Sequence, residues 1–346
     1  MDNILVVGGG VAGLQASLDL ADFGYNVIML EKEEKLGGTL NKLSKIFPSE
    51  QNAADLISNF LKKIKDKKNI QVIKNAEILD IEGGFPTFKV KFKSSDSEKN
   101  VSVNAIIVST GFKLFDPSKI KQYGYGRYKD VITSLELEEM IKKKEILRPS
   151  NLKKPKSMSI IQCVGSRDKN SNTYCSVYCC NYAIRTALQI KEIYPEIMIT
   201  ILYMDIRTPC QGEFNYNKAR LSGVRFIRGK PAKVRQIKKE MKDILVVQVE
   251  DTLENDLIFL ESDIVVLSIG GVSNPTNTFF KEKLNLEISD SGFFQVTESP
   301  VGTNVKNVFV AGSASGLKDS SYSINQGSCA AAKVDIALKS IKVNDN

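Results

Sequence analysis

The 346-residue chain is 42% hydrophobic and 25% charged, proportions of a folded protein with room for two domains, and they exclude a disordered chain. Its formal charge of +8 comes from lysines scattered through stretches such as 142–144, 153–156 and 238–242 rather than along one aromatic-studded face, so a solvated basic surface is expected and nucleic-acid binding is not. There is no histidine, which excludes Ser-His and Cys-His nucleophile pairs and histidine metal ligands. No run approaches the roughly 18 consecutive apolar residues of a membrane helix, and the first strand begins too early for a signal peptide to precede it. A cytoplasmic protein is therefore expected. In that compartment six cysteines point to metal or redox chemistry rather than structural disulfides.

Ile4 to Val7 form an apolar run typical of a buried parallel strand, and Gly8, Gly10 and Gly13 follow with G-x-G-x-x-G spacing. A helix should open there through Val11 and Ala12. Gly8 permits the tight turn, Gly10 lets a pyrophosphate approach the backbone, and Gly13 lets helix and strand pack closely, with the phosphate at the helix N-terminus. Val27 to Leu30 make a second strand ending at Glu31, a carboxylate placed to accept hydrogen bonds from an adenosine ribose, with Lys32 beside it in the same site. Gly37 and Gly38 then let backbone lie close to a bulky ligand. A helix is predicted from about 50 to 67, followed by strand-like runs near 76–81, 87–92 and 101–108 that form a small meander with a turn at Gly83-Gly84. Ser109-Thr110-Gly111 returns the chain to the dinucleotide.

Residues 112–157 read as a connecting region with a tyrosine-rich loop at 123–128 and a helix around 134–144. A new central strand at 158–164, a helix at 182–194 and a strand at 197–203 make a second nucleotide-binding-type unit. Its first turn reads CVGSRDKNSNTYCSVYCC and keeps only Gly165, so a pyrophosphate would meet side chains and ordinary NAD(P) binding is not expected. Hairpin-like runs at 232–237 and 244–249 precede a strand at 263–269. Val308 to Val310 run into Ala311-Gly312-Ser313, and a last helix begins at Ser323. In two-domain flavoproteins such a strand and helix cap the flavin, the helix N-terminus facing the edge that becomes negative on reduction.

Cys163, Cys175, Cys179 and Cys180 stand at a strand end and a helix head. Four thiolates there could hold a [4Fe-4S] cluster or zinc, form a redox disulfide, or stay as buried thiols; the spacing is not that of ferredoxins, and no Cys-x-x-Cys is present. Cys210 and Cys329 read as structural. Lys318 lies between Gly312 and the last helix, where it is either a surface lysine or a residue hydrogen-bonding flavin N5 and tuning its potential.

Together with GYGRYKDVITSLELE at 124–138, QCVGSRD at 162–168, YCSVYCC at 174–180, DIRTPCQGE at 205–213 and GVRFIRG at 223–229, these motifs resemble the A-subunit family of heterodisulfide reductase over nearly the whole chain. The ferredoxin-type cysteine repeats that the larger methanogen subunit carries are absent, so the chain resembles the compact subunit of the sulfur-oxidising heterodisulfide-reductase-like complex. The resemblance implies tightly bound FAD, a [4Fe-4S] cluster on the four cysteines, B and C subunits and a lipoate-binding protein as partners, and a homodimer. Ser313 stands where many flavoproteins have an aspartate on the ribityl chain.

The expected protein is thus an α/β, two-domain, thioredoxin-reductase-like flavoprotein with Rossmann-type three-layer domains. Residues 1–113 and 262–346 should bind FAD, and 114–261 should form an inserted, degenerate NAD(P)-type domain carrying the cysteines. Its function is that of an oxidoreductase subunit passing electrons between flavin and cluster. The alternatives are a stand-alone NAD(P)H-dependent disulfide reductase and a scaffold with a structural flavin.

Overall fold

Runs such as Ile4–Val7 and Ile106–Val108 lack polar alternation, as strands covered on both faces must. In the computed structural model, which describes all residues except 1, 48, 96, 210, 240, 241, 298, 345 and 346, they lie in a five-stranded parallel sheet. Its order is Val308–Val310, Ala105–Val108, Asn3–Val7, Asn26–Leu30 and Ile70–Ile73. Ala12, Ala16 and Leu20 of the helix Val11–Asp22 pack with Ala330, Ala331 and Val334 of the helix Ser320–Asn344 over Ile4 and Val6. Phe88, Val90 and Phe92 of an antiparallel meander pack with Leu5, Ile106 and Val108, the sheet residues of opposite parity.

Two details of this unit differ from the sequence reading. The run at 101–108 is two strands, because Asn104 interrupts it: Ser97–Val103 closes the meander, and Ala105–Val108 enters the parallel sheet after the Asn104 side chain accepts the Asn3 N–H at 3.0 Å. The meander's first strand, Ala76–Gly84, continues through both glycines, since Gly84 pairs with Thr87, and the turn falls on Phe85-Pro86. The helix expected at 50–67 runs Ala53–Lys65, where the Asn52 side chain caps the Ala54 N–H at 2.8 Å.

The second unit repeats the plan with a parallel sheet in the order Arg225–Arg228, Met198–Tyr203, Ser157–Val164, Ile264–Ile269 and Val131–Thr133. That last strand lies in the stretch read as a connector. Thr133 ends it and also opens the helix Ser134–Lys143 through a capping box with Glu136, so one residue serves both elements. The hairpin expected at 232–249 is a three-stranded antiparallel sheet, Lys233–Lys239, Lys242–Asp251 and Asp256–Ser262. The compact units are Met1–Asn41, Gln51–Lys113 and Val272–Asn346 on one side, and Lys42–Glu50 and Leu114–Gly271 on the other. Residues 262–271 join the second unit because Ile264–Ile269 pairs with the central strand Ser157–Val164.

A buried ion pair fastens this second sheet. Arg148 donates to Asp130 through Nε and Nη2 at 3.1 and 2.7 Å, and to Asp263 through Nη1 at 2.9 Å. Asp130 also accepts the Ser150 N–H and hydroxyl at 2.9 and 2.7 Å. Removing one partner of such a pair strands a buried charge, a loss of about 3–5 kcal/mol. Arg148→Met should therefore lower the urea midpoint followed by circular dichroism, and an unchanged midpoint would contradict the role given to this pair.

Candidate functional site

The first unit's site grows from the end of the strand Asn3–Val7. Gly8 turns the chain at φ +103°, and a Cβ there would collide with the Ser109 carbonyl. A Cβ on Gly13 would strike the Gly8 carbonyl, which fixes how closely helix and strand meet. Gly10 is different. Its backbone is ordinary extended chain, φ −73° and ψ 176°, and a Cβ would meet no protein atom within 4 Å. Nothing in the polypeptide requires glycine there, and it caps a helix with no side-chain hydrogen bond, so the backbone N–H groups of Val11, Ala12 and Gly13 open the helix onto a cradle of bare backbone. That cradle suits a phosphate, and hence the pyrophosphate of a dinucleotide.

The other expected residues gather around this turn. Glu31, nearly buried, accepts the Gly9 N–H on Oε2 at 2.6 Å and the Glu33 N–H on Oε1 at 2.8 Å. Gly37 donates its N–H to the Gly9 carbonyl at 2.7 Å, and a Cβ on Gly38 would lie 3.2 Å from the Gly10 Cα. A Cβ on Gly312 would lie 2.9 Å from the Ala12 Cβ and 3.7 Å from that of Ser323, so the final segment returns to the same helix end. Thr110 hydrogen-bonds Asn277 at 3.2 Å and receives Asn274 on its carbonyl at 2.8 Å, partners that the sequence reading missed; Gly111 follows at φ +67°. Lys32 stands apart, exposed and paired with Glu77 at 3.2 Å.

Lys318 is no surface lysine. Its ammonium donates to the Gly312 carbonyl, the Ser315 hydroxyl and the Gly316 carbonyl at 3.3, 3.1 and 2.8 Å, closing the short 3-10 turn Gly312–Ser315. Ser313 Oγ accepts the Lys318 N–H at 3.3 Å. Burial lowers the Lys318 pKa to about 8. The last helix starts at Ser320, before the expected Ser323, because Asp319 caps it through the Tyr322 N–H at 2.7 Å; Ser323 Oγ donates back to the Asp319 carbonyl at 2.7 Å.

In the second unit the corresponding turn is built from cysteines. Cys163, next to last in its strand, takes a left-handed conformation, φ +58°, and its carbonyl accepts the Ser166 N–H. The loop then closes on itself. Arg167 N–H meets the Tyr174 carbonyl and Asp168 N–H the Asn172 carbonyl, both at 2.9 Å, which returns Cys175 toward Cys163. Cys179 and Cys180 are the first residues of the helix Cys179–Ile193, three residues ahead of the expected start, and that helix end has no side-chain cap. Gly165, the one glycine left in the turn, faces Phe115: a Cβ would collide with its ring.

All four thiols are free, and each interacts electrostatically with the other three. Burial pushes the Cys163 thiol up to about 11, with Cys180 and Cys175 raising it further and Arg167 opposing. Burial also holds Cys179 well above the usual thiol value, against a hydrogen bond from Ser268, and raises Cys180. Val177 N–H reaches Cys175 Sγ at 3.3 Å. Nearby, both amide atoms of Gln162, the Ser166 hydroxyl and the Asn181 carbonyl oxygen are buried without a hydrogen-bond partner among the described residues. Among the described residues no three His, Cys, Asp or Glu side chains converge on a point suited to one metal ion. Tetrahedral zinc would need its thiolates about 2.3 Å from a single centre. An iron-sulfur cluster instead takes one thiolate per iron, so its sulfurs stand around a volume and not about one centre.

Cys329 sits half-buried in the last helix against the apolar cluster of the first, while Cys210 lies outside the described residues. Arg167, Asp205 and Ser268, which touch the thiols, have no assigned role in the sequence reading, although QCVGSRD and DIRTPCQGE contain the first two.

Residues 2–158 match the family described as pyridine nucleotide-disulphide oxidoreductase. The chain is 34% identical to one CoB–CoM heterodisulfide reductase iron-sulfur A-subunit of Methanopyrus kandleri, over 97% of this chain and 64% of that protein. It is 32% identical to the corresponding A-subunit of Methanocaldococcus jannaschii, over 96% and 64%. The chain thus spans less than two thirds of the length of these relatives. Thioredoxin reductases share the fold: that of Lactococcus lactis gives a TM-score of 0.68 at 16% identity, covering 98% of this chain and 100% of that one, and that of T. acidophilum also gives 0.68 at 16%, covering 99% and 100%. The chain is thus similar, over nearly its whole length, to the A-subunits of heterodisulfide reductases, and its residues 2–158 match the pyridine nucleotide-disulphide oxidoreductase family.

Proposed function

We propose that this chain is a flavin-dependent oxidoreductase component of a heterodisulfide-reductase-like complex in sulfur metabolism, holding FAD, which exchanges electrons in ones or twos, and a [4Fe-4S] cluster, which exchanges one. The observation that carries it is the replacement of a phosphate turn in the second unit by four mutually neighbouring, disulfide-free cysteines. Cys163, Cys175, Cys179 and Cys180 are the proposed ligands. Gly8, Gly10, Val11, Ala12, Gly13, Glu31, Gly37, Gly38, Thr110, Gly111, Gly312, Ser313 and Ser323 are the proposed cradle of FAD. Lys318 serves it by holding the Gly312–Ser315 turn through three hydrogen bonds.

The partners proposed are B and C subunits, a lipoate-binding carrier and a second copy of the chain, in a cytoplasmic setting. Support for other subunits is that the relatives are themselves named as A-subunits of heterodisulfide reductases. Among the described residues no helix is long and apolar enough to cross a membrane.

Anaerobically purified protein should be yellow-brown and contain flavin and iron together. Gly10→Val introduces a side chain into space that no protein atom claims, so it should leave the fold intact and yield flavin-free protein. Full flavin occupancy in that variant would count against the cradle. Cys179→Ala should lose iron and keep flavin, whereas Cys329→Ala should keep both; zinc in place of iron, or iron indifferent to Cys179→Ala, would remove the cluster from this reading. Because the turn after Cys163 keeps only Gly165 and is otherwise built of side chains, isothermal titration should detect no saturable NADH binding to the second unit, and a crystal structure with NADH on residues 163–180 would favour the stand-alone disulfide reductase instead.

A further inference from the structure

Among the groups around the four thiols, one is a permanent cation with a fixed direction. Arg167 follows the turn at Cys163 in a left-handed backbone conformation, φ +54°, and its N–H is tied to the Tyr174 carbonyl at 2.9 Å. Both guanidinium termini engage Asp205: Nη1 bonds Oδ1, and Nη2 meets Oδ2 at 3.1 Å. This fork settles the plane of the guanidinium. Its positive charge acts on Cys163 and Cys180. Asp205 is itself anchored to the same cluster of thiols, for its carbonyl faces Cys180 Sγ at 3.8 Å. Arg207 approaches Asp205 from the exposed side at 3.3 Å, and Lys230 pairs with Asp168 beyond it.

We propose that Arg167, oriented by Asp205, is the positioning residue that sets the reduction potential of the centre held by the four cysteines. The inference rests on the iron-sulfur reading above. One-electron reduction adds one negative charge to the centre and its thiolates, and no proton has to move. A guanidinium fixed beside those thiolates stabilises the more negative state and so raises the potential; net charge, hydrogen bonds to sulfur and exposure are what set such potentials. Lysine could keep the charge but not the fork on Asp205. Arg207 meets Cys180 through its backbone, which substitution keeps, and shares Asp205 through an exposed guanidinium, so its substitution should matter less.

The test is an EPR-monitored potentiometric titration with dithionite on the whole protein, with iron and flavin measured on each sample. Arg167→Gln should retain iron and FAD and show a lower midpoint potential, Arg167→Lys should lie closer to the unmodified protein, and Arg207→Gln should shift it least. Iron-loaded Arg167→Gln with an unchanged midpoint would overturn the tuning role and leave the cluster standing. Loss of iron from both Arg167 variants, with the unmodified protein loaded, would also overturn it, because Arg167 would then be needed for assembly. An unmodified protein that binds no iron would remove the iron-sulfur reading itself, and this inference with it.

Discussion

The hydrogen bond from the Gly9 N–H to the Glu31 carboxylate, at 2.6 Å, is the contact on which the first unit's site depends. It joins the glycine turn after the first strand to the end of the second, and the Gly37 N–H on the Gly9 carbonyl adds the next loop to the same point. Three segments that are separate in sequence are thereby held at one helix end. A carboxylate offers about four acceptor sites, and two backbone N–H groups leave room for a ribose hydroxyl, so Glu31 can fasten the turn and still meet a ligand. A charge that nearly buried is tolerable because both oxygens are hydrogen-bonded.

The second unit has the same parallel plan but a different turn. Where the first has open space at Gly10, the second has the Phe115 ring against Gly165, and side chains of Cys163 and Cys175 in place of bare backbone. This substitution changes the ligand chemistry without changing the topology. A bare backbone turn selects phosphate through N–H groups, whereas a turn lined with buried thiols disfavours anions while the thiols are protonated and accepts soft metal once they lose their protons. Burial raises three of these thiols, so metal binding there must be accompanied by proton release.

Much of the first site was legible because its signal is local. Gly8, Gly10, Gly13 and Glu31 lie within one strand-helix-strand unit, and their spacing alone implies the shared helix end. Asn104 shows where such reading stops: a single polar residue inside 101–108 separates two sheets, and composition does not say on which side of it either sheet ends. Val131–Thr133 was hidden for a similar reason, since three apolar or β-branched residues before a capping box read as the entry to a helix. The cysteines were legible as a set, but their hydrogen-bonding partners were not. Arg167 meets Asp205 across 38 positions, and Ser268 reaches Cys179 from another strand, so neither has a spacing to read.

Both turns end on the uncapped N-terminus of a helix, Val11–Asp22 in one unit and Cys179–Ile193 in the other. An uncapped end leaves backbone N–H groups and the positive pole of the helix dipole for whatever negative group lies before it. In a dinucleotide unit that group is a pyrophosphate. For the proposed cluster it is a set of sulfur atoms carrying net negative charge, so the same backbone feature remains useful when the glycines are replaced by cysteines. The alignment to the Methanopyrus kandleri relative spans 424 positions, more than this chain's 346 residues, so that relative carries segments within the aligned span which this chain lacks. Both helix ends and all four cysteines lie within the shorter chain, so the proposed flavin cradle and thiol cluster are built from its own residues.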